Sequence, residues 1–215
     1  MTKTVLTKIC GLTQAKDIDA AVHAGARYIG LNFFEKSPRF LPLEQAQNLV
    51  GNIPAVVVKV ALTVNAGDAT LDRIVAQVNP DMLQLHGNES PARVEQVRAR
   101  FGLPVMKAVG VQDQNDLIAL QQYCQVADLI LVDAKPPKGA KLPGGNGVAF
   151  DWRLISGRSW PVPWLLAGGL TAQNVTEAIR LTGASQVDAS SGVESAPGVK
   201  EIQKIQRFIE AAEFS

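Results

Sequence analysis

Eight short apolar runs alternate with amphipathic stretches along the 215-residue chain, and this alternation constrains the possible folds more than any other feature. The repeat length is about 27 residues, close to the ~30 of a strand–helix–strand unit. Apolar runs of this length, separated by helical patterns, predict strands of a parallel sheet. The predicted strands are Val5–Cys10, Tyr28–Phe33, Val56–Val64, Met82–His86, Val105–Val109, Leu129–Asp133, Trp164–Ala167 and Gln186–Ala189.

A single α/β domain, a (β/α)8 TIM barrel over residues 1–215, is the fold that this pattern favours, slightly shorter than the ~250 residues typical of such barrels. An open, doubly wound sheet also alternates strands and helices and is the alternative. Its fingerprint, G-x-G-x-x-G after the first strand, is absent, because Cys10, Gly11 and Leu12 stand at that place. No linker or charge block divides the chain, so we expect one domain.

The stretches between the strands predict helices with one apolar stripe facing the sheet. Apolar residues recur at helical spacing in three clear stretches, Ile18 to Gly25, Val175 to Thr182 and Val199 to Ile209. Ser90 before Pro91 predicts the start of one helix, Thr171 the start of another, and Gly183 a stop.

Composition excludes several classes of protein. The chain has 21 basic and 20 acidic residues, a formal net charge of +1, so no overall field attracts nucleic acid or an anionic membrane. It has no apolar segment near the ~18 residues of a membrane span and no apolar signal segment in MTKTVLTKIC. Cys10 and Cys124 are too few for a disulfide framework. We therefore expect a cytoplasmic protein that binds neither nucleic acid nor membrane.

The loops after strands seven and eight predict a phosphate site. In barrels of this kind these two loops often bind phosphate through backbone N–H groups. Gly168 and Gly169 follow strand seven, while Ser190, Ser191 and Gly192 follow strand eight and add hydroxyl donors. The alternative is two ordinary glycine-containing turns.

Cys10 ends the first strand, at the rim where such barrels carry their chemistry. A thiol of ordinary pKa is mostly protonated at neutral pH, so a cysteine base needs a nearby cation or backbone donors. Lys8 is the candidate cation, because strand alternation puts it on the same side as Cys10. The alternatives are that Cys10 is a small core residue and that Lys8 is an interior ion-pair partner.

Two aspartates close apolar strands. Asp133 follows four apolar residues in LILVD, an unfavourable place for a carboxylate unless it is hydrogen-bonded or required by function. A carboxyl group at the catalytic rim can act as a general acid. Asp188 closes strand eight in the same way and could hold a loop or a ligand hydroxyl.

Two further polar residues follow strands two and four. Arg39, in KSPRF, could present its guanidinium fork to a substrate carboxylate, although a single loop arginine is often only solvated. His86, in QLHG, could be a base or an orienting donor. No second ligand stands at metal-binding spacing, so we expect no metal site. Cys124 has core spacing, and the glycine-rich stretch from Ala134 to Ala149 predicts a lid or an irregular turn.

Seven motifs in order give the chain a familiar appearance: KICGLT (8–13), KSPRF (36–40), QLHG (84–87), LVDA (131–134), GGNG before FDW (144–152), LAGGL (166–170), and VDASSGVE with PGVK (187–200). With them the chain resembles the phosphoribosylanthranilate isomerase family over nearly its whole length. The resemblance implies an Amadori rearrangement of N-(5-phosphoribosyl)anthranilate, the third step of tryptophan biosynthesis. It also implies a small phosphorylated substrate, no cofactor, and a monomer or homodimer.

Site residues follow from the resemblance by motif. The family's general base corresponds to Cys10 and its general acid to Asp133, and Arg39 corresponds to the contact with the substrate carboxylate. The phosphate contacts correspond to Gly168, Gly169, Ser190, Ser191 and Gly192, and Asp188 has a supporting role. Asn146, where the family motif is expected to have Thr, could alter how the loop after strand six closes.

Other functions stay open at this point. A sister enzyme of tryptophan or histidine biosynthesis would share the phosphate site but not the base at Cys10. A catalytically silent phosphate-binding barrel would keep the phosphate loops and lose Cys10 or Asp133, and both are present. A scaffold would need an exposed apolar or charged surface, and the composition gives no such signal.

Overall fold

Eight parallel strands close into a barrel in the computed structural model, which describes residues 4–136, 139–140, 142–147 and 149–213. Each strand pairs with the next along the chain, and β8 closes the barrel by pairing with β1, so that Lys8 lies opposite Asp188. The predicted TIM barrel is thereby confirmed. The strands are β1 Leu6–Cys10, β2 Tyr28–Asn32, β3 Val58–Thr63, β4 Met82–Leu85, β5 Val105–Val111, β6 Leu129–Ala134, β7 Trp164–Leu166 and β8 Gln186–Ala189.

Helices cover the outside of the barrel. They are α1 Ala15–His23, α2 Leu43–Val50, α3 Asp68–Val78, α4 Pro91–Phe101, α5 Gln114–Tyr123, α6 Val175–Thr182 and α7 Ile202–Glu213. Between β6 and β7 the described residues form a 3₁₀ helix, Trp152–Ile155, in place of an α-helix. After β8 come a 3₁₀ turn, Ser191–Val193, and a small antiparallel pair, β9 Glu194–Ala196 and β10 Val199–Lys200. None of the described helices has the length and apolar character needed to cross a membrane.

The core has two apolar regions because strand side chains alternate between the barrel interior and the helices. One large cluster packs between the strands and the surrounding helices, and Cys124 belongs to it, as predicted. A second cluster fills the barrel interior, and its buried members are Tyr28, Val60, Met82, Met106, Ala108, Leu131, Leu165 and Ala167. This packing leaves polar chemistry to the layer at the carboxyl ends of the strands.

Several predicted helix boundaries agree with the structure. Ser90 caps α4 by accepting a hydrogen bond from the Arg93 N–H, with Pro91 as the first helical residue. Gly183 ends α6 in the left-handed conformation, with φ of +70°. The start predicted at Thr171 is wrong, because α6 begins after Asn174. The Thr171 side chain instead accepts a hydrogen bond within the preceding turn.

Two helical stretches were predicted too long. Helix α1 ends at His23, since Gly25 turns the chain away with φ of +101°. Val199 does not belong to the last helix but to β10, where it pairs with Ala196. Apolar spacing alone included both residues, because a stripe pattern contains no information on where the backbone turns.

Strand limits differ most in β3 and β5. The third strand starts two residues later than predicted, since Val56 lies in an exposed turn. The fifth continues to Val111, because Gly110 and Val111 pair with Asp133 and Ala134 of β6. This longer pairing fixes the end of β6 at the rim of the barrel.

Candidate active site

A cavity opens at the carboxyl ends of the strands. Side chains from both ends of the sequence meet there, because barrel closure makes β8 a neighbour of β1. His86 and Asn32 also line it. The predicted site residues that line it are Cys10, Arg39, Asp133, Gly168, Gly169, Asp188, Ser190 and Ser191. The remaining one, Gly192, packs so closely on the backbone of Leu170 that a side chain would overlap its carbonyl oxygen.

Cys10 lies at the inner rim, with Lys8 beneath it on the same face of β1. Lys8 is completely buried, and its Nζ lies 3.0 Å from Oδ1 of Asp188. Burial raises the pKa of the Cys10 thiol above its ordinary value, although Lys8 opposes this increase. Both readings of Lys8 from the sequence therefore hold, since it is an ion-pair partner and also a cation near the thiol.

Asp133 and His86 form a second polar group in the cavity. His86 Nε2 lies 3.3 Å from Oδ2 of Asp133, and the Ala134 N–H donates to Oδ1 at 2.8 Å. On the other side of the ring, Nε2 of Gln84 lies 2.9 Å from Nδ1 of His86. His86 therefore lies between the Gln84 amide at Nδ1 and the Asp133 carboxyl group at Nε2. This contact with Asp133 is compatible with either role that the sequence left open for His86, a base or an orienting donor, and both stay predictions.

Arg39 is buried and held by Glu194, although the sequence permitted a solvated side chain. Its Nε and Nη2 donate to the two carboxylate oxygens at 2.7 and 2.8 Å, so one edge of the guanidinium is fully used. Lys200 donates to Oε1 of the same carboxylate at 2.7 Å. Burial favours a higher pKa for Glu194, but Arg39 and Lys200 hold that pKa below its ordinary value. Glu194 therefore orients Arg39 with Nη1 toward the cavity side near Gly145.

Lys200 also connects this ion pair to the loop after β8. Its Nζ donates to the Ser190 carbonyl at 2.9 Å, and the Ser190 hydroxyl donates to the Cys10 carbonyl at 3.1 Å. Burial lowers the pKa of Lys200, although the charge of Glu194 opposes this decrease. Sequence reasoning missed Glu194 and Lys200 as site residues. The available signal was the pair of charged residues in VDASSGVE and PGVK, but it did not indicate their partners.

The two predicted phosphate loops lie side by side above β7 and β8. Gly168 has φ of +86°, and a side chain there would lie 2.7 Å from the Ala134 nitrogen, so only glycine fits. Asn174 fixes the first loop by donating to the Gly169 carbonyl at 3.0 Å. The second loop presents Ser190 and Ser191 to the cavity. Glycine-containing loops of this kind can bind an oxyanion through backbone N–H groups, and the Ser191 hydroxyl at the cavity could add a donor.

Residues 142–147, here called the lid segment, line the cavity from the loop after β6. A side chain at Gly144 would overlap Nε2 of His86, and one at Gly145 would lie 2.6 Å from Nη1 of Arg39. The Asn146 amide donates to the Leu142 carbonyl at 3.2 Å, so this departure from the motif closes the segment on itself. The position supports the lid interpretation of the stretch from Ala134 to Ala149, of which residues 137, 138, 141 and 148 lie outside the described part.

A buried ion pair supports the loop that follows His86. Nζ of Lys107 donates to Oε2 of Glu89 at 3.1 Å and to the Gly87 carbonyl at 2.7 Å. Glu89 in turn accepts from the N–H groups of Asn65 and Gly87. Burial lowers the pKa of Lys107, although Glu89 opposes this decrease. These hydrogen bonds tie the loop that follows His86 to the buried pair of Lys107 and Glu89.

Within the described ranges, no three His, Cys, Asp or Glu side chains group closely enough to hold a metal ion. The chemical groups of the cavity are instead a thiol, a carboxyl–imidazole pair, a guanidinium and two anion-binding loops. A thiol and a carboxyl group on different strands, beside groups that can bind anions, could transfer protons on a substrate that carries two anionic groups.

Comparison with known proteins identifies a family for the chain. A family model described as N-(5'-phosphoribosyl)anthranilate (PRA) isomerase matches residues 7–211. The N-(5'-phosphoribosyl)anthranilate isomerase of Cereibacter sphaeroides is 64% identical over 208 residues, which cover 97% of this chain and 98% of that protein.

Solved structures give the same result for the fold. The phosphoribosyl anthranilate isomerase of Thermotoga maritima superposes with a TM-score of 0.87 at 33% identity, covering 98% of this chain and 100% of that one. A phosphoribosyl anthranilate isomerase in complex with reduced 1-(o-carboxyphenylamino)-1-deoxyribulose 5-phosphate has a TM-score of 0.84, 31% identity and the same coverage. The chain belongs to the N-(5'-phosphoribosyl)anthranilate isomerase family.

Proposed function

We propose that this chain converts N-(5-phosphoribosyl)anthranilate to 1-(2-carboxyphenylamino)-1-deoxyribulose 5-phosphate, the third step of tryptophan biosynthesis, with Cys10 as base and Asp133 as acid. The observation that carries the proposal is that both residues line one cavity between two sets of anion-binding groups. Loss of anthranilate fluorescence on mixing with fresh substrate tests it. We also propose that the chain acts as one catalytic domain in the cytoplasm, as a monomer or homodimer.

The first step is ring opening. Asp133 gives a proton to the ribose ring oxygen as the bond between C1 and that oxygen breaks, and the anilino nitrogen supplies electrons to form an iminium. His86 holds Asp133 from the side through Nε2, so the carboxyl group has a fixed direction. A positioned acid is most effective when its orientation is already set before the substrate binds.

The second step is proton removal. Cys10 as thiolate takes the proton from C2 of the iminium and produces an enolamine. Tautomerisation to the ketone places a proton on C1 and completes the isomerisation. The proton leaves carbon on the side of β1, whereas the ring oxygen receives its proton on the side of β6. Cys10 and Asp133 line different walls of one cavity, so each can act on a different atom of the substrate.

Two anchors hold the ends of the substrate. The phosphate binds at the loops of Gly168 and Gly169 and of Ser190 to Gly192, while the anthranilate carboxylate binds Arg39. Because Glu194 uses the Nε edge of Arg39, the substrate carboxylate meets Nη1 and not the whole fork. Asp188 supports the interior end of the site through Lys8.

Replacing Arg39 by alanine is expected to raise KM by about 10- to 100-fold with little change in kcat, the effect of losing one charge-assisted contact. Lys200 still pairs with Glu194 in this variant, so the buried carboxylate keeps a partner. Steady-state kinetics measure both constants. Arg39→Lys is the matched control, which keeps the charge and should recover part of the affinity. A fall in kcat at unchanged KM would contradict an anchoring role.

A substrate without its phosphate is expected to lose kcat as well as affinity. Binding energy at the phosphate loops holds the reacting carbon atoms near Cys10 and Asp133, so its loss affects the chemical step. Single-turnover rates of N-ribosylanthranilate and the phosphorylated substrate make the comparison. Equal rates at saturation would mean that the phosphate loops only capture the substrate.

A further inference from the structure

Lys8 is a buried charge that the acid and base chemistry does not use. It is one of the largest completely buried side chains, and it lies in the barrel interior two residues before Cys10. Its Nζ lies 3.0 Å from Asp188, its partner across the β1–β8 seam. A buried ion pair is weak evidence for stability, because desolvation cancels much of the attraction. An ammonium in this place therefore calls for another explanation.

Gly30 of β2 brings the Lys8 amine and the Cys10 thiol together. Cys10 lies directly opposite Gly30 in the register of β1 and β2. A side chain at Gly30 would lie 2.9 Å from Cys10 Sγ and 3.1 Å from Lys8 Nζ. Sulfur and nitrogen thus border the same small space, no more than about 6 Å apart. The missing side chain lets the cation approach the thiol from below.

We propose that Lys8 is a positioning residue whose ammonium stabilises the thiolate of Cys10, and that Asp188 limits this stabilisation by competing for the same ammonium. The proposal rests on the proposed role of Cys10 as the base. Lys8 does not line the cavity, so it acts through Cys10 and not on the substrate. Asp188 thereby has a second role besides supporting the site.

The charged groups around Cys10 agree with this assignment. They are Lys8 on its own strand, Asp188 on β8 and Lys200 from β10. Burial raises the pKa of Cys10, Lys8 and Lys200 lower it, and Asp188 raises it further. Burial alone would lower the pKa of Lys8, but Asp188 and Cys10 together raise it above its ordinary value. Lys8 therefore stays an ammonium at neutral pH and does not compete as a base.

Titration of the thiol tests the proposal without turnover. Thiolate absorbance near 240 nm is followed against pH in the folded protein, and the curve of Cys10→Ser is subtracted to remove Cys124 and tyrosine. Lys8→Met is expected to move the titration of Cys10 upward by about one to two pH units, or about 10- to 100-fold less thiolate at a given pH. Lys8→Arg should restore it, and Asp188→Asn should move it downward.

Lys107→Met is the matched control. Lys107 is also a buried strand lysine paired with one carboxylate, but it is not among the charges that act on Cys10. Its loss should leave the thiol titration in place. If Lys8→Met does not fold, the titration of Cys10 in Asp188→Asn tests the proposal by itself. A shift to lower pH supports the proposal, and no shift contradicts it.

Opposite shifts of the Cys10 titration in Lys8→Met and Asp188→Asn would support the proposal. If the pair were purely structural, the two substitutions would shift this titration in the same direction or not at all. An unmoved titration in both variants would overturn it. The proposed function has a separate test. If Cys10→Ser kept wild-type turnover, Cys10 would not be the base, whereas the thiol titrations of the Lys8 and Asp188 variants would stay as measured.

Discussion

Replacing Cys10 by serine is expected to lower kcat by about 10²- to 10⁴-fold, the usual contribution of a positioned base. Serine has nearly the same shape as cysteine, but its hydroxyl loses a proton far less readily than a thiol. Cys10 is buried, and the similar shape of serine preserves most of its packing, so the substitution changes chemistry more than packing. KM should change little, since the phosphate loops and Arg39 are intact. Steady-state kinetics on the purified variant measure both constants.

Cys124→Ala is the control for the Cys10 prediction. Cys124 belongs to the core between barrel and helices, so its loss should affect stability more than kcat.

The pH profile of the wild type gives a second readout of the role of Cys10. Because burial raises the pKa of Cys10, wild-type kcat/KM should increase about tenfold per pH unit through the neutral range as thiolate forms. Full turnover in Cys10→Ser would assign the base to another group.

Replacing Asp133 by asparagine is expected to lower kcat by a similar factor, about 10²- to 10⁴-fold. The amide oxygen can still accept the Ala134 N–H, so the backbone at the end of β6 stays in place. The amide has no acidic proton to give to the ribose ring oxygen, and its NH₂ group would take the place of the carboxylate oxygen that faces Nε2 of His86. Ring opening should therefore become the slow step. Single-turnover measurements would show that the substrate persists unreacted for longer than with the wild type.

Asp151→Asn is the control for the Asp133 prediction. Asp151 is an exposed carboxylate that pairs with Arg153 before the 3₁₀ helix, away from the cavity. Its kcat should equal that of the wild type. Undiminished turnover in Asp133→Asn would leave His86 as the remaining proton donor of the pair and would contradict the assignment of the acid.

Much of the fold was predictable because eight apolar runs allow few arrangements. The strand pattern and the repeat length together favoured the barrel, and barrel geometry then directed attention to strand ends. That Cys10 and Asp133 line the cavity could be predicted there, because a thiol and a carboxylate directly follow buried strand residues. That Gly168 and Ser190 line the cavity could be predicted in the same way, because they follow the ends of β7 and β8.

The partners of these residues were not predictable from the sequence. Glu194 lies 155 residues from Arg39 along the chain, and only the closed barrel brings the two together. The contacts of His86 with Gln84 and Asp133 likewise join residues that the sequence alone did not pair. Val199 illustrates the limit of periodicity, since its spacing fits a helix while its backbone pairs with Ala196. A contact over a long separation, such as that of Arg39 with Glu194, has no local signal in the sequence.

Loss of anthranilate fluorescence on adding freshly generated N-(5-phosphoribosyl)anthranilate tests the central claim most directly. Spontaneous breakdown of the substrate is subtracted, and the double variant Cys10→Ser/Asp133→Asn is measured beside the wild type. We predict rapid consumption by the wild type and a rate near background for the double variant. A wild-type protein that binds a phosphate ester but leaves this substrate unchanged would contradict the isomerase and indicate a phosphate-binding barrel.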